Sequence, residues 1–131
     1  MTAMCVLFSI FALGVLSGME KVYNLRRKQF IQEAQVALNR VTMALYVARR
    51  TTAPDDVKQI VMKEAELDYL KCSEILIQSY KENIFKPNEF HSLFGIDIAE
   101  RIRMEDFAPE RVRLYPMVEK YCKAFEKAMR G

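Results

Sequence analysis

The chain begins with an uncharged stretch from residue 2 to residue 19, and this feature limits its folding options most. An α-helix rises about 1.5 Å per residue, so the stretch would span roughly 27 Å, slightly less than the ~30 Å hydrocarbon layer of a bilayer. Val22, Tyr23 and Leu25 extend its apolar character by one turn. A helix that is apolar on every face belongs in a bilayer or deep inside protein. The pattern predicts a single transmembrane helix over residues 1 to 25.

The charges that follow this stretch indicate an orientation. Residues 20 to 50 hold seven of the 20 Lys and Arg against two acidic residues, whereas residues 51 to 131 hold 13 basic and 15 acidic residues. Four of the basic residues come directly after the apolar stretch: Lys21, Arg26, Arg27 and Lys28. By the positive-inside rule, the N-terminus faces outward and the C-terminal bulk faces the cytoplasm, or the matrix of a mitochondrial inner membrane. These four side chains also suit anionic lipid headgroups.

Two alternatives to a membrane anchor stay open. A secretory signal normally starts with Lys or Arg and ends with small residues, whereas here only Met1 and Thr2 precede the apolar run, although VLSG at residues 15 to 18 resembles a cleavage site. The second alternative is a helix buried inside a larger protein assembly, because a chain this short can hardly surround it. Gly14 and Gly18 form a small-xxx-small pair, which would let another helix pack closely.

The first helix is expected to continue to about Arg50, because no Gly or Pro interrupts residues 20 to 53. One apolar stripe follows alternating spacings of three and four residues along this part, which places its members on one face. Its members are Ile31, Ala34, Leu38, Val41, Leu45 and Ala48. The opposite face carries polar residues such as Gln32 and Asn39, so the pattern predicts a one-sided seam for a second helix.

The segment TTAPDD predicts a break and the start of a second helix. Thr52 is expected to cap that helix, Pro54 to lie in its first turn, and the two aspartates after it to favour the positive end of the helix dipole. The second helix is expected to end near Asn83. The simplest arrangement is an antiparallel hairpin in which it folds back along residues 28 to 50.

Shorter helical pieces are expected after the second helix. Asn88 is expected to cap a short turn, Asp97 to begin a helix that runs through Phe107, and residues 110 to 129 to form a last helix that Pro116 kinks or splits. No segment shows strand-like alternation. The predicted fold class is therefore all-α: a transmembrane helix continuing into a long amphipathic helix, an antiparallel helical hairpin, and short C-terminal helices.

No motif in the chain identifies a reaction or a cofactor. The motifs HExxH, ExxH, GxGxxG and GxSxG and the P-loop are absent, and His91 is the only histidine. His91 has no second histidine or carboxylate at metal-ligand spacing, so we expect a hydrogen-bonding role in a loop or at a helix end. Cys5, Cys72 and Cys122 are too scattered for a disulfide framework or a zinc site. We expect no catalytic residue, no cofactor and no metal.

Charged residues elsewhere predict structural roles. Asp55 and Asp56 fit a helix start, and four arginines stand among almost as many acids, which predicts a salt-bridged surface rather than a phosphate site. These arginines are Arg101, Arg103, Arg111 and Arg113. The net charge of +3 is too small to indicate a nucleic-acid partner.

The sequence therefore predicts a non-catalytic, single-pass membrane subunit, with an anchor at residues 1 to 25 and a helical extramembrane domain at residues 26 to 131. Its expected partners are the lipid bilayer and other subunits of a membrane protein complex. A respiratory-chain or ATP synthase complex of the mitochondrial inner membrane fits this architecture. The alternative is a soluble helical adaptor whose apolar N-terminal helix docks in a partner protein, and the third class is an enzyme using His91 with Glu89 or Asp97.

Overall fold

A computed structural model describes the backbone of residues 2 to 130 and the side chains of residues 21 to 130. Every regular element over those residues is helical, which confirms the all-α prediction. The helices are α1 (Thr2–Arg50), α2 (Asp55–Lys81), α3 (Pro87–Phe90), α4 (Ile96–Met104), α5 (Pro109–Val112) and α6 (Pro116–Arg130), with a π-helical turn (His91–Gly95) between α3 and α4. The chain divides into two compact units, Met1–Glu33 and Ala34–Gly131.

Helix α1 ends at Arg50, as its uninterrupted sequence predicts. Within the unit Ala34–Gly131, most of the predicted seam is buried: Ala34, Leu38, Leu45 and Ala48, with Val41 partly buried. Ile31 belongs to the other unit and is partly buried there. Gly14 and Gly18 fall outside the described side chains, as does most of the predicted anchor. Over the residues whose side chains are described, no helix combines the length and apolar character needed to cross a membrane.

The start of α2 differs from the prediction. Pro54 is the N-cap residue, with φ −53° and ψ 150°, and no side chain caps the helix, so the prediction for Thr52 is wrong. The proline explains this, because its fixed φ starts the helix without a capping side chain. Asp55 and Asp56 lie in the first turn, where the helix dipole favours them. Helix α2 packs against α6 and α5; the hairpin against residues 28 to 50 stays a prediction.

Helices α3 and α4 form one continuous path through the π-helical turn. Lys86 is the N-cap residue of α3 and Pro87 occupies its first position, so Asn88 lies inside the helix instead of capping it. The backbone stays right-handed helical at His91 and Gly95. Helix α4 begins at Ile96, next to the predicted start, but ends at Met104, because Asp106 takes a left-handed φ of 56°.

Pro116 splits the last predicted helix into α5 and α6. The sequence left open whether Pro116 kinks or splits this helix, and the structure shows a split. The fully buried side chains come from α1, α2, the π-helical turn, α3, α4 and α6, and they form the core of the unit Ala34–Gly131. The largest are Tyr69, Phe90, Phe94, Leu45, Leu70, Ile77, Ile98 and Val118.

Candidate functional site

A cluster of charged side chains, which we call the Glu66 cluster, joins four helical elements: Arg49, Glu66, Arg101, Glu105 and Arg111. Glu66 on α2 is only 5% exposed, and its Oε2 accepts a hydrogen bond of 2.5 Å from Arg111 Nη1. Arg49 Nη2 lies 3.9 Å from the other oxygen, Oε1. A buried carboxylate is unfavourable without such partners, and these two arginines compensate Glu66 for the water that it loses on burial.

Glu105 forms the second centre of the cluster. Its carboxylate lies 3.3 Å from Arg49 Nε and 3.1 Å from Arg101 Nη1, and Arg101 also pairs with Asp97 at 3.3 Å. The Arg49 guanidinium also donates to the Glu105 carbonyl oxygen at 2.5 Å. Each carboxylate of the cluster thus pairs with two arginines.

Tyr69 lies beside this cluster and is fully buried, with its ring 5.5 Å from that of Phe107. Burial raises the pKa of the Tyr69 hydroxyl, and the negative charge of Asp97 raises that pKa further. Arg101 acts against both, but the hydroxyl makes no hydrogen bond that meets normal geometry among the described residues. The Tyr69 ring is thus part of the core beside the Glu66 cluster.

His91 and Tyr121 form a second centre, in an aromatic cluster at the other end of α4. Their rings stack at 5.6 Å, and Tyr121 Oη lies 2.5 Å from His91 Nδ1, a hydrogen bond that the hydroxyl donates in the tautomer whose Nδ1 carries no proton. Phe90 and Tyr80 stack on each other at 4.6 Å, and both present ring edges to His91. His91 thus has the hydrogen-bonding role that the sequence predicts, but within the π-helical turn.

A cleft opens next to this pair, between α4 and α6. Its volume is about 340 Å³, and we call it the α4–α6 cleft. Its lining residues are His91, Ile96, Tyr121, Ala124, Phe125 and Ala128. Its only polar side chains are the two already bonded to each other, so the cleft offers apolar surface to anything that enters it.

The chemistry of the α4–α6 cleft does not favour catalysis. Burial, followed by the charge of Tyr80, raises the pKa of Tyr121 to about 12, so its hydroxyl is neutral near pH 7. Asp97, which the sequence offered as a possible partner of His91, pairs with Arg101 instead. A neutral phenol bonded to an imidazole, without a charged group to activate either, suits packing and recognition better than proton transfer.

A second cleft, of about 470 Å³, lies between α4, α5 and α6. Arg103 and Arg113 line it, but Glu119 and Glu126 line it as well, and Glu119 pairs with Lys123 at 3.2 Å. Two of the four arginines predicted to form salt bridges therefore do so, Arg101 and Arg111, whereas Arg103 and Arg113 form no ion pair within residues 21 to 130. The mixed charge of this cleft gives it no preference for an anion.

The predicted membrane-interface residues lie on α1 in the unit Met1–Glu33. Lys21, Arg26 and Lys28 are exposed, and Arg27 is partly buried. Among the described residues, no group of three or more His, Cys, Asp or Glu side chains is placed to hold a metal ion.

Three residues important to the structure carry no signal in the sequence: Glu66, Glu74 and Gly95. Glu66 and Glu74 stand in a charged stretch typical of a solvated helix face, and only the packing of α1, α5 and α6 gives them partners. A Cβ on Gly95 would overlap the Tyr121 hydroxyl and lie 2.9 Å from Tyr121 Cζ. Each depends on a contact between residues far apart in the chain, which helical periodicity does not predict.

Comparisons with models of protein families, with curated proteins and with solved structures found no match for this chain.

Proposed function

We propose that this protein is a non-catalytic accessory or assembly subunit of a membrane protein complex. In this proposal its apolar N-terminal stretch attaches it to the bilayer, and its α4–α6 cleft receives an apolar side chain from a helix of another subunit. The observation that carries the proposal is the lining of the cleft: four of its six lining residues are apolar, and its two polar side chains, His91 and Tyr121, are hydrogen-bonded to each other.

The occupant follows from the chemistry of the cleft. A charged group entering it would lose water and meet mainly apolar side chains, which is unfavourable. An aliphatic or aromatic side chain gains about 25 cal/mol for each Å² of apolar surface that it buries. Met129, which exposes 62% of its surface and follows the lining residue Ala128, would extend the contact beyond the cleft.

The membrane part of the proposal is supported by the sequence and by the exposed cations on α1. Lys21, Arg26 and Lys28 are free to meet anionic headgroups at the end of the apolar stretch. A respiratory-chain or ATP synthase assembly is one class of complex that fits a small helical subunit of this kind. Carbonate washing followed by flotation of the full-length protein tests the attachment. Recovery of the protein in the carbonate supernatant would reject membrane attachment. It would favour the soluble adaptor whose N-terminal helix docks in a partner protein.

The cleft is tested by comparing two variants of α6 in tagged full-length protein, purified in mild detergent. Ala128→Phe fills the α4–α6 cleft, whereas Lys127→Phe places the same ring on the neighbouring exposed position, which lines neither cleft. We expect a stoichiometric partner subunit to co-purify with the wild type and with Lys127→Phe but to be lost from Ala128→Phe. Retention of the partner by both variants would reject the cleft as its binding site.

A further inference from the structure

The α4–α6 cleft contains the only histidine of the chain, His91, and histidine is the side chain whose charge normally changes between pH 5 and 8. Among the described residues, the Tyr121 hydroxyl has no hydrogen-bond partner other than Nδ1 of this ring. A hydroxyl that is shielded from water needs an acceptor. Nδ1 therefore accepts from the hydroxyl, and the ring hydrogen of neutral His91 is on Nε2.

A proton added to His91 changes both groups of this pair. The imidazolium carries a hydrogen on each nitrogen, so Nδ1 becomes a donor and the Tyr121 hydroxyl has to turn round to accept from it. The hydrogen of the hydroxyl then has no acceptor among the described residues. Protonation thus adds a positive charge and an unpaired hydroxyl hydrogen to the lining of the cleft.

None of the described residues forms an ion pair with His91, because their ion pairs all use lysine or arginine. The titratable groups that face the ring from α2 and α6 are the phenols of Tyr80 and Tyr121, and burial raises the pKa of Tyr121 to about 12. On α4, Asp97 pairs with an arginine of the same helix. On α3, Glu89 stands two residues before His91, about 200° round the helix. A charge on His91 is therefore stabilised mainly by water, which reaches the half-buried ring while the cleft is open.

We propose that binding at the α4–α6 cleft is linked to the charge of His91: the apolar side chain of the partner subunit enters while His91 is neutral and leaves when His91 takes up a proton. This inference rests on the proposed function, which supplies the occupant. An apolar occupant removes water from the ring, and burying an imidazolium without a partner is far more unfavourable than burying a neutral imidazole. Because such coupling is reciprocal, the occupant also makes His91 harder to protonate.

The first test needs no partner subunit, because Ala128→Phe supplies an apolar ring to the cleft and Lys127→Phe places the same ring outside it. The full-length chain is purified in mild detergent through a tag without histidine, so that every imidazole signal in its NMR spectrum comes from His91. We expect the midpoint of the His91 titration to lie about one pH unit lower in Ala128→Phe than in the wild type, and to change little in Lys127→Phe. Equal midpoints in Ala128→Phe and the wild type would overturn the proposal.

The second test measures the affinity of the co-purified partner subunit for the full-length chain at two pH values. One pH unit below the measured midpoint, about nine-tenths of His91 is protonated, so the partner should bind about tenfold more weakly there than one unit above it. His91→Asn keeps an acceptor for the Tyr121 hydroxyl but does not titrate, so the ratio of the two affinities should fall to about one.

Equal affinities of the wild type at the two pH values, or the same pH dependence in His91→Asn, would overturn the proton linkage. Failure of the proposed function gives a different result. Retention of the partner by Ala128→Phe would reject the cleft as its binding site, whereas loss of the partner from Ala128→Phe with a pH-independent affinity of the wild type would reject the proton linkage alone.

Discussion

The carboxylate of Glu74, on α2, accepts the backbone N–H of Val118 at 2.9 Å through Oε2. Its other oxygen accepts the N–H of Met117 at 3.2 Å. The first N–H groups of a helix lack partners within that helix, and Pro116 has no N–H to offer. Glu74 therefore caps α6 from a neighbouring helix, and this contact connects the split at Pro116 to the packing of α6 on α2.

Removing this cap should destabilise the protein. We expect Glu74→Ala to lower the free energy of unfolding by about 1 to 2 kcal/mol, because two N–H groups, one of them on the fully buried Val118, lose their acceptor. Urea denaturation followed by circular dichroism measures the change. Glu82→Ala is the control, since Glu82 is exposed and makes only a long bond of 3.4 Å to Gln78. Equal stability of the two variants would contradict the capping role.

The Glu66 cluster gives a second prediction. Arg111→Gln should lower the free energy of unfolding by about 2 kcal/mol, because it leaves the buried Glu66 carboxylate with only the more distant Arg49. Arg113 lies two residues later, is exposed, and forms no ion pair among the described residues. Arg113→Gln should therefore change the free energy of unfolding by less than about 0.5 kcal/mol. Thermal unfolding of the two variants under identical buffer conditions makes the comparison. A small effect of Arg111→Gln would mean that Glu66 gains little from the pair.

The third prediction concerns Gly95, and what matters is whether Gly95→Ala stabilises or destabilises the protein. Gly95 has ordinary helical dihedral angles, and at such a position Ala usually stabilises a helix by about 1 kcal/mol. Here the added Cβ would overlap the Tyr121 hydroxyl and push the ring away from His91, so we expect Gly95→Ala to destabilise by about 1 to 2 kcal/mol.

Chemical denaturation of a double-mutant cycle with Tyr121→Phe measures this coupling. Without the hydroxyl, part of the overlap disappears, and Gly95→Ala should be less harmful in that background. If Gly95→Ala stabilises the wild-type chain, the close approach of Tyr121 to the π-helical turn is not present in solution.

The thiol of Cys122 should be unreactive in the folded protein. Burial, and secondarily the charge of Glu126, raises the pKa of Cys122 to about 11, so the reactive thiolate is scarce at pH 8. We expect alkylation by iodoacetamide at pH 8 to be about a hundredfold slower for folded than for urea-unfolded chain, since the thiolate fraction falls by about that factor. Peptide mass spectrometry follows Cys122 separately from the other cysteines. The rate should rise with pH toward 11, and equal rates in both states would contradict burial.

Local signals account for the parts of the fold that the sequence predicts. The uninterrupted run to Arg50 and the stop at Pro116 are visible because helix formation and proline geometry act over a few residues. The caps were less predictable: Thr52 and Asn88 are good capping residues, but Pro54 and Pro87 are adjacent to them and start each helix by their fixed φ. Neither helix then has a side-chain cap.

The candidate site was harder to foresee. The hydrogen-bonding role of His91 follows from its isolation in the sequence, but its partner is 30 residues away on a helix whose angle depends on tertiary packing. Glu66 appears in the sequence as one more surface acid in an amphipathic helix. Its burial arises only because Arg49 and Arg111 approach from separate helices, and such contacts have no periodic signature.

The π-helical turn determines which residues of α4 face the core. Its hydrogen bonds enclose one residue more than those of an α-helix, so the turn takes up one extra residue without rotating the helix that follows. An ordinary α-helix through the same residues, His91–Gly95, would not take up that residue. Every residue of α4 would then be turned by about 100° relative to Phe90. Ile98 and Ile102, now buried, would leave the core, and Arg101 would leave the Glu66 cluster. One residue in this turn thus decides which side of α4 is interior and which is surface.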